Sequence, residues 1–271
     1  MGHVLPVNID DIATEYNRGA TSQQIGSRLG VCALTIRRWL RGSGVAVRPR
    51  TGLHSRIHQF NQSAFSVIDT ENKAYWLGFI MADGHLWKGM ALQIGLAVID
   101  QVHLEKLKAF FGGTQPIYKK LQPASMLNGR MIKQRESVHV QFSSKQLVSD
   151  LGRLGIGNSK LVNPADQLSV DLRRHYYRGL FDGDGSLMKQ VVRTSHVQWE
   201  MNQCGHFAVV NGFSEFARST CGAKASVRAH RGIYYCSLHG NAKPKQLAKE
   251  MYADSQVFLD RKHTLFLEMG V

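Results

Sequence analysis

Apolar residues along this chain switch from helical to alternating spacing and back, and from Asp69 onward the same order of changes runs twice. Asp69-Thr70 reads as a helix cap, and the apolar helical run behind it ends at Asp83. Met90 to Val98 then alternates as a strand, Asp100 to Phe111 is helical, Ser137 to Phe142 alternates again and Ser144 to Leu154 is helical. In the second round Asp171 opens the apolar helix, Val197 to Cys204 and Phe207 to Val210 read as strands, and Ser214 to Thr220 as a helix. Tyr234 to Leu238 follows as a strand and Lys245 to Met251 as a helix. The repeated order points to a duplication, with a longer first strand region and a shorter middle in the second copy.

The residues before this repeat have only helical periods. Asn8 to Arg18 predicts a helix stopped at Gly19, and Thr21-Ser22-Gln23-Gln24 forms a capping box for a second helix ending at Gly30. A third helix follows over Val31 to Leu40. Its Leu34, Ile36, Trp39 and Leu40 are expected to pack on Ile12, Ile25 and Leu29, leaving Thr35, Arg37, Arg38 and Arg41 more exposed. This pattern is similar to the helix-turn-helix of resolvases and transposases, with the third helix as the DNA reader. Gly42 to Asn61 reads as a linker in which Arg48-Pro49-Arg50 can lie along a phosphate backbone or enter a minor groove.

The two apolar helices of the repeat carry the candidate chemistry. Trp76-Leu77-Gly78-Phe79-Ile80-Met81-Ala82-Asp83-Gly84 and Tyr177-Arg178-Gly179-Leu180-Phe181-Asp182-Gly183-Asp184-Gly185 both place glycine third and end in Asp-Gly. Gly78 and Ala82, like Gly179 and Gly183, stand four residues apart, which puts two small residues on one helical face for close approach of a second helix. Each helix then delivers one carboxylate, Asp83 or Asp184, to the same place. Gly84 and Gly185 are expected in the left-handed conformation that stops a helix. An aspartate at a helix C-terminus faces the negative end of the dipole and the last unpaired carbonyls, so a cation is expected there. Carboxylates with neighbouring carbonyls are hard oxygen donors that suit Mg²⁺. A calcium loop starting at Asp182 is excluded, because Leu187 stands where its glycine belongs and Arg193 where its closing acid belongs.

Charge narrows the partner. With 34 Lys and Arg against 20 Asp and Glu in 271 residues, a formal charge of +14 and a pI near 9.8, the chain calls for a polyanion, first of all nucleic acid. No apolar stretch approaches the length of a spanning helix and the N-terminus lacks a signal-peptide design, so no membrane partner is expected. The protein is expected to be soluble and intracellular, in the cytoplasm or on a nucleoid. Cys32, Cys204, Cys221 and Cys236 form no C-x-x-C pair and are expected to be reduced thiols.

On these residues the chain resembles the LAGLIDADG homing endonucleases in their single-chain, two-motif form, over roughly residues 69 to 262. The resemblance implies an α+β fold of two pseudo-symmetric αββαββα-type halves, 69–165 and 166–271, with antiparallel sheets forming a DNA-binding saddle. The helix-turn-helix, 1–42, and the basic linker, 43–68, precede them. It implies a monomer that uses Mg²⁺ or Mn²⁺ to make a double-strand break in double-stranded DNA at a long pseudo-palindromic site.

Asp83 and Asp184 match the family's metal-binding aspartates, and the carbonyls of Ala82 and Gly183 are expected as further ligands. Asp182 keeps an earlier acid of the motif, for which the first half has Met81. Gln93 resembles the water-organising polar residue, and its second-half counterpart is Asn202 or Gln203. Lys160 and Lys262, at nearly equal distances beyond the two aspartates, resemble the basic residue placed near each scissile phosphate. Gln93, His139, Gln141, Gln198 and Glu200 are base-reading candidates, with strand parity left open. Two other readings stand beside this one: a DNA-binding transcriptional regulator of the same fold without nuclease chemistry, and an RNA maturase that binds its own intron RNA. Retention of both aspartates argues against the first, and the helix-turn-helix favours DNA over RNA.

Overall fold

The computed structural model describes residues 8–48, 58–127, 130–132, 134–157, 162–192 and 196–270. The chain divides into two compact units, Met1–Gln59 and Phe60–Val271. In the first, α1 (Ile9–Asn17), α2 (Ser22–Leu29) and α3 (Ala33–Gly42) enclose Ile12, Tyr16, Ile25, Ile36 and Leu40. The local signals act as the sequence dictates: Asn8 caps α1, Thr21 and Gln24 close a reciprocal capping box on α2, and Gly30 ends α2 in the left-handed region at φ 69°.

Two expectations for this unit are corrected. Leu34 does not join the core but is 64% exposed, because α3 turns Ile36 and Leu40 inward and position 34 falls on the other face. Residues assigned to the linker also belong to the unit: Val45 and Val47 pack on its core, and the Arg48 backbone N–H donates to the Tyr16 hydroxyl at 2.9 Å. The Arg48 guanidinium stacks on the Tyr16 ring and donates to the carbonyls of Gly19 and Ala20.

The second unit is organised about two helices, α4 (Glu71–Asp83) and α7 (Val170–Asp184). Each is buried over a continuous run, Ala74 through Met81 in α4 and His175 through Asp182 in α7. A helix surrounded by protein needs no polar face, which fits the apolar run of α4, while α7 buries His175, Arg178 and Asp182 among its apolar residues. The pair meets backbone to backbone at its glycines. A Cβ on Gly78 would stand 2.0 Å from the Tyr176 carbonyl oxygen, and one on Gly179 would stand 1.9 Å from that of Tyr75.

A four-stranded antiparallel sheet follows each central helix. The first holds β1 (Gly84–Trp87), β2 (Ala91–Ala97), β3 (Tyr118–Gln122) and β6 (Arg135–Ser143) in the order β1-β2-β6-β3, and β4 (Ser125–Leu127) and β5 (Arg130–Ile132) pair separately as a small hairpin. The second holds β7 (Gly185–Val192), β8 (His196–Gly205), β9 (Arg228–His230) and β10 (Ile233–Gly240) in the equivalent order β7-β8-β10-β9. The flanking helices are α5 (Gln101–Phe110) and α6 (Lys145–Arg153) in the first half, and α8 (Phe207–Cys221), α9 (Ala242–Tyr252) and α10 (Asp260–Glu268) in the second. Leu92, Ile94, Val138, Val140 and Phe142 line the core side of the first sheet, and Leu187, Trp199, Met201, Cys236 and Leu238 that of the second. Phe60 and Phe65, also read as linker, pack against Phe111 and so belong to the first half.

Gly84 and Gly185 are not left-handed. Both are extended, at φ −78° and φ −87°, and each is the first residue of a strand. Glycine is needed there for space: a Cβ would come 2.4 Å from the Ile80 carbonyl oxygen in one half and 2.6 Å from that of Phe181 in the other. Phe207 to Val210 is the first turn of α8 rather than a strand. The β-branched pair misleads locally, whereas the buried Val209, Val210, Phe213 and Ala217 keep helical spacing.

Candidate active site

The two central helices end side by side. Asp83 and Asp184 are the last residues of α4 and α7, each half-buried and each followed directly by a strand. A Cβ on Gly183 would lie 2.3 Å from the Ala82 Cβ and 3.0 Å from a carboxylate oxygen of Asp83, which brings the two ends into direct contact. The helix pair thus converges two carboxylates, with the carbonyls of Ala82 and Gly183 beside them.

The cation these helix ends call for is supplied in part by the protein. Lys262, near the start of α10, is only 2% exposed, and its ammonium donates to the carbonyls of Phe181, Asp182 (2.8 Å) and Gly185 (2.6 Å). It thereby satisfies acceptors that the end of α7 would leave orphaned. Burial pulls its pKa down to about 8, against the opposing pull of Asp182 and, more weakly, of Asp83 and Asp184. Its ammonium is thereby held beneath the end of α7 by backbone carbonyls.

Asp182 anchors this arrangement. Its carboxylate is buried and accepts from the Tyr75 hydroxyl at 2.7 Å, the Tyr252 hydroxyl at 2.5 Å and the Leu259 N–H at 2.8 Å. Burial raises its pKa, and Lys262 with these three donors opposes the rise. The Tyr75 hydroxyl gives its proton to Asp182, so His103 Nε2, 3.0 Å from the same oxygen, is the donor of that pair. His103 is buried and held neutral, its pKa lowered to about 3 chiefly by burial. Arg178, wholly buried, ties α7 to Glu71 at the start of α4 at 2.7 Å and to the carbonyls of Met251 and Val257.

Strand register settles which residues share the outer sheet faces. His85, Gln93 and Gln141 lie opposite one another across the first sheet, as Ser186, Asn202 and Ser237 do across the second. Gly84 pairs with Ile94 and Gly185 with Gln203, so Asn202 is the counterpart of Gln93 and Gln203 is excluded. Gln203 instead faces inward and is fully buried.

Gln93 donates to Gln141 at 2.8 Å, and Asn202 donates to Glu200 at 2.8 Å. His139 lies on the face of Gln93 and Gln141, its ring stacked on Tyr118 and set over Gly95, where a Cβ would come within 2.5 Å of it. Gln198 and Glu200 share the face of Asn202. All five strand residues proposed for base reading therefore lie on the outer faces. Thr35 and Arg37 are half-buried on α3, while Arg38 and Arg41 are exposed. Lys160 and Arg50 lie outside the described residues.

No protein-family model matches the sequence, and no characterised protein matches it in sequence. Solved structures do resemble the fold. Its structural neighbours include LAGLIDADG homing endonucleases. The meganuclease I-AabMI, bound to uncleaved DNA, is 12% identical over 74% of this chain and 92% of its own, with a TM-score of 0.49. I-SmaMI, bound to cleaved DNA, is 13% identical over 75% and 88%, with a TM-score of 0.47. Full-length DUF199/WhiA from Thermatoga maritima is 14% identical over 78% and 64%, with a TM-score of 0.45. At these identities the likeness is one of outline, and functional weight rests on the chain's own geometry.

Against the LAGLIDADG motif, the residues that sequence reasoning missed are those that support the aspartates rather than form the pattern. Tyr75 and Tyr252 hold Asp182, and the Cys204 thiol donates to the Asp184 carbonyl at 3.1 Å. Tyr75 and Tyr176 do stand at equal distances before the two Asp-Gly pairs, a signal the sequence contains. A cleft of about 630 Å³ between α7 and α8, lined by Asn163, Arg173, Tyr177 and Glu215 among others, holds none of the expected site residues. No helix among the described residues is long and apolar enough to cross a membrane.

Proposed function

We propose that this chain is a site-specific, metal-dependent DNA endonuclease of the LAGLIDADG type, acting as a monomer on a long pseudo-palindromic duplex. The observation that carries the reading is the convergence of Asp83 and Asp184 at the paired ends of α4 and α7, in a chain of formal charge +14. Their donor set fits a hard divalent cation, Mg²⁺ or Mn²⁺. It offers oxygen ligands only, and no group of three or more His, Cys, Asp or Glu that could hold a metal occurs among the described residues. Mg²⁺ is commonly held by one or two carboxylates, with water and phosphate oxygens completing its shell.

Asp83, Asp184 and the carbonyls of Ala82 and Gly183 would hold that ion, which when bound activates water and neutralises charge on the phosphate. Gln93 and Asn202, at matching register positions, orient water by their side-chain amides. Lys262 and Asp182 fix the end of α7 and so the direction of the Asp184 carboxylate. Gln141, His139, Gln198 and Glu200 face the bases, and the three-helix unit, through Thr35, Arg37, Arg38 and Arg41, adds contacts to the same DNA.

The test begins with a duplex selected by the full-length protein from a random pool in Ca²⁺. The expected outcome is cleavage of both strands on addition of Mg²⁺ or Mn²⁺, none in excess EDTA, and loss of cutting with retained binding for Asp83→Asn and Asp184→Asn. Specific binding with no cleavage under any divalent ion would instead assign the chain a regulatory role.

A further inference from the structure

The core of the three-helix unit leaves Leu34 outside it, as the most exposed of its large apolar side chains among the described residues. Leu34, 64% exposed, lies on α3 in line with Arg37, Arg38 and Arg41, the spacing that places residues on one helical face. Together with Thr21 and Gln23 of the preceding turn and helix, Leu34, Arg37 and Arg41 line a groove of about 500 Å³. No acidic residue lines it. The acids of residues 8–48 are Asp10, Asp11 and Glu15, all on α1, and Glu15 is already paired with Arg28.

A leucine on a row of arginines calls for a partner that offers anions and an apolar group side by side. A second copy of the chain would bring arginines against arginines, which opposes self-association. A phosphate backbone matches the arginines but offers nothing apolar to the leucine. Duplex DNA supplies both, since the thymine C5-methyl group is an apolar feature of the major-groove base edges. We infer that Leu34 is a specificity-determining residue that packs on a thymine methyl group in the major groove, with Arg37 and Arg41 holding α3 to the flanking phosphates. This rests on the reading of duplex DNA as the partner and assigns the groove a thymine.

The test uses the full-length protein and the duplex it selects. Each thymine is replaced in turn by deoxyuridine, which differs only in lacking the methyl group, and competition binding is measured for the wild type, Leu34→Ala and Leu34→Met. At one thymine or more, removal of the methyl should weaken wild-type binding about fourfold, the ratio expected from burying one such group. Leu34→Ala should bind the thymine site more weakly and lose that discrimination, and Leu34→Met should restore much of it.

Equal binding of thymine and uracil sites by the wild type overturns the inference, as does undiminished discrimination by Leu34→Ala. So does sedimentation showing that Leu34 drives self-association while leaving DNA affinity unchanged. Mg²⁺-dependent cutting of the same duplex is scored separately. Cutting without methyl discrimination removes this inference alone, whereas discrimination without cutting removes the nuclease reading alone.

Discussion

The two central helices meet at matching glycines and end in the same dipeptide, yet their interiors solve one position in opposite ways. One sequence offset relates Tyr75 to Tyr176, Gly78 to Gly179, Met81 to Asp182 and Asp83 to Asp184. In the second half the acid at that position gathers Tyr75, Tyr252, the Leu259 N–H and the Lys262 ammonium into a buried polar network. In the first half the position is apolar Met81, and the Tyr176 hydroxyl is buried without a hydrogen-bond partner among the described residues. What both halves keep is the glycines that backbone contact requires and the terminal aspartates to which the proposed cation site assigns its ligands. What they do not share is therefore support that one backbone frame can provide in either apolar or ionic form.

The shared part should be the least forgiving. Gly78→Val and Gly179→Val should each abolish or severely weaken folding, on the order of 5 kcal/mol or more, because a Cβ would meet a carbonyl of the partner helix at about 2 Å. Urea denaturation checks this, and tolerance at either glycine would break the equivalence of the helices.

The unshared position should separate the halves. Asp182→Leu takes the facing carboxylate charge from a buried ammonium that keeps its backbone acceptors, and takes the shared acceptor from two tyrosine hydroxyls and an N–H; it should cost about 3–5 kcal/mol, while Met81→Leu should cost less than about 1.5 kcal/mol. The Lys262 side of this network carries a pH signature. Its pKa is depressed to about 8 from 10.5, so between those values the unfolded chain holds a proton that the folded chain has released. Stability from this group therefore rises with pH across that window, the cost of burying the charge being fully present below it. Lys262→Met should remove that slope from the difference between mutant and wild-type denaturation curves, and an unchanged slope would place the ammonium elsewhere.

The smallest contrast lies in the two tyrosines. Tyr75→Phe removes a donor from a buried carboxylate and should cost about 1–3 kcal/mol, whereas Tyr176→Phe removes an unpartnered hydroxyl and should be neutral or slightly stabilising. Equal losses in thermal denaturation would show that Tyr176 has a partner equivalent to Asp182.

The order of elements and the convergence of Asp83 and Asp184 were legible because periodicity and small-residue spacing report directly on packing. Local conformation was less so. Asp-Gly at a helix end reads as a left-handed stop, yet Gly84 and Gly185 are extended, because crowding by the Ile80 and Phe181 carbonyls, invisible in one dimension, decides the residue type. Asn202 and Gln203 could not be told apart by type, since both are amides and only the pairing of Gly185 with Gln203 assigns their faces. Leu34 was misplaced because α3 is short and its apolar residues fit more than one helical stripe. The Asp182 network was hidden because Tyr75, Tyr252 and Leu259 approach it from distant stretches of the chain.

The seat of Lys262 has a consequence in time. Ribosomes deliver Asp83 and Asp184 well before Lys262, by an interval on the order of ten seconds at ordinary elongation rates. Until α10 emerges and docks, the end of α7 lacks the ammonium that satisfies the carbonyls of Phe181, Asp182 and Gly185. A nascent chain thus carries both carboxylates before the end of α7 has its full set of partners, and α10 completes that set.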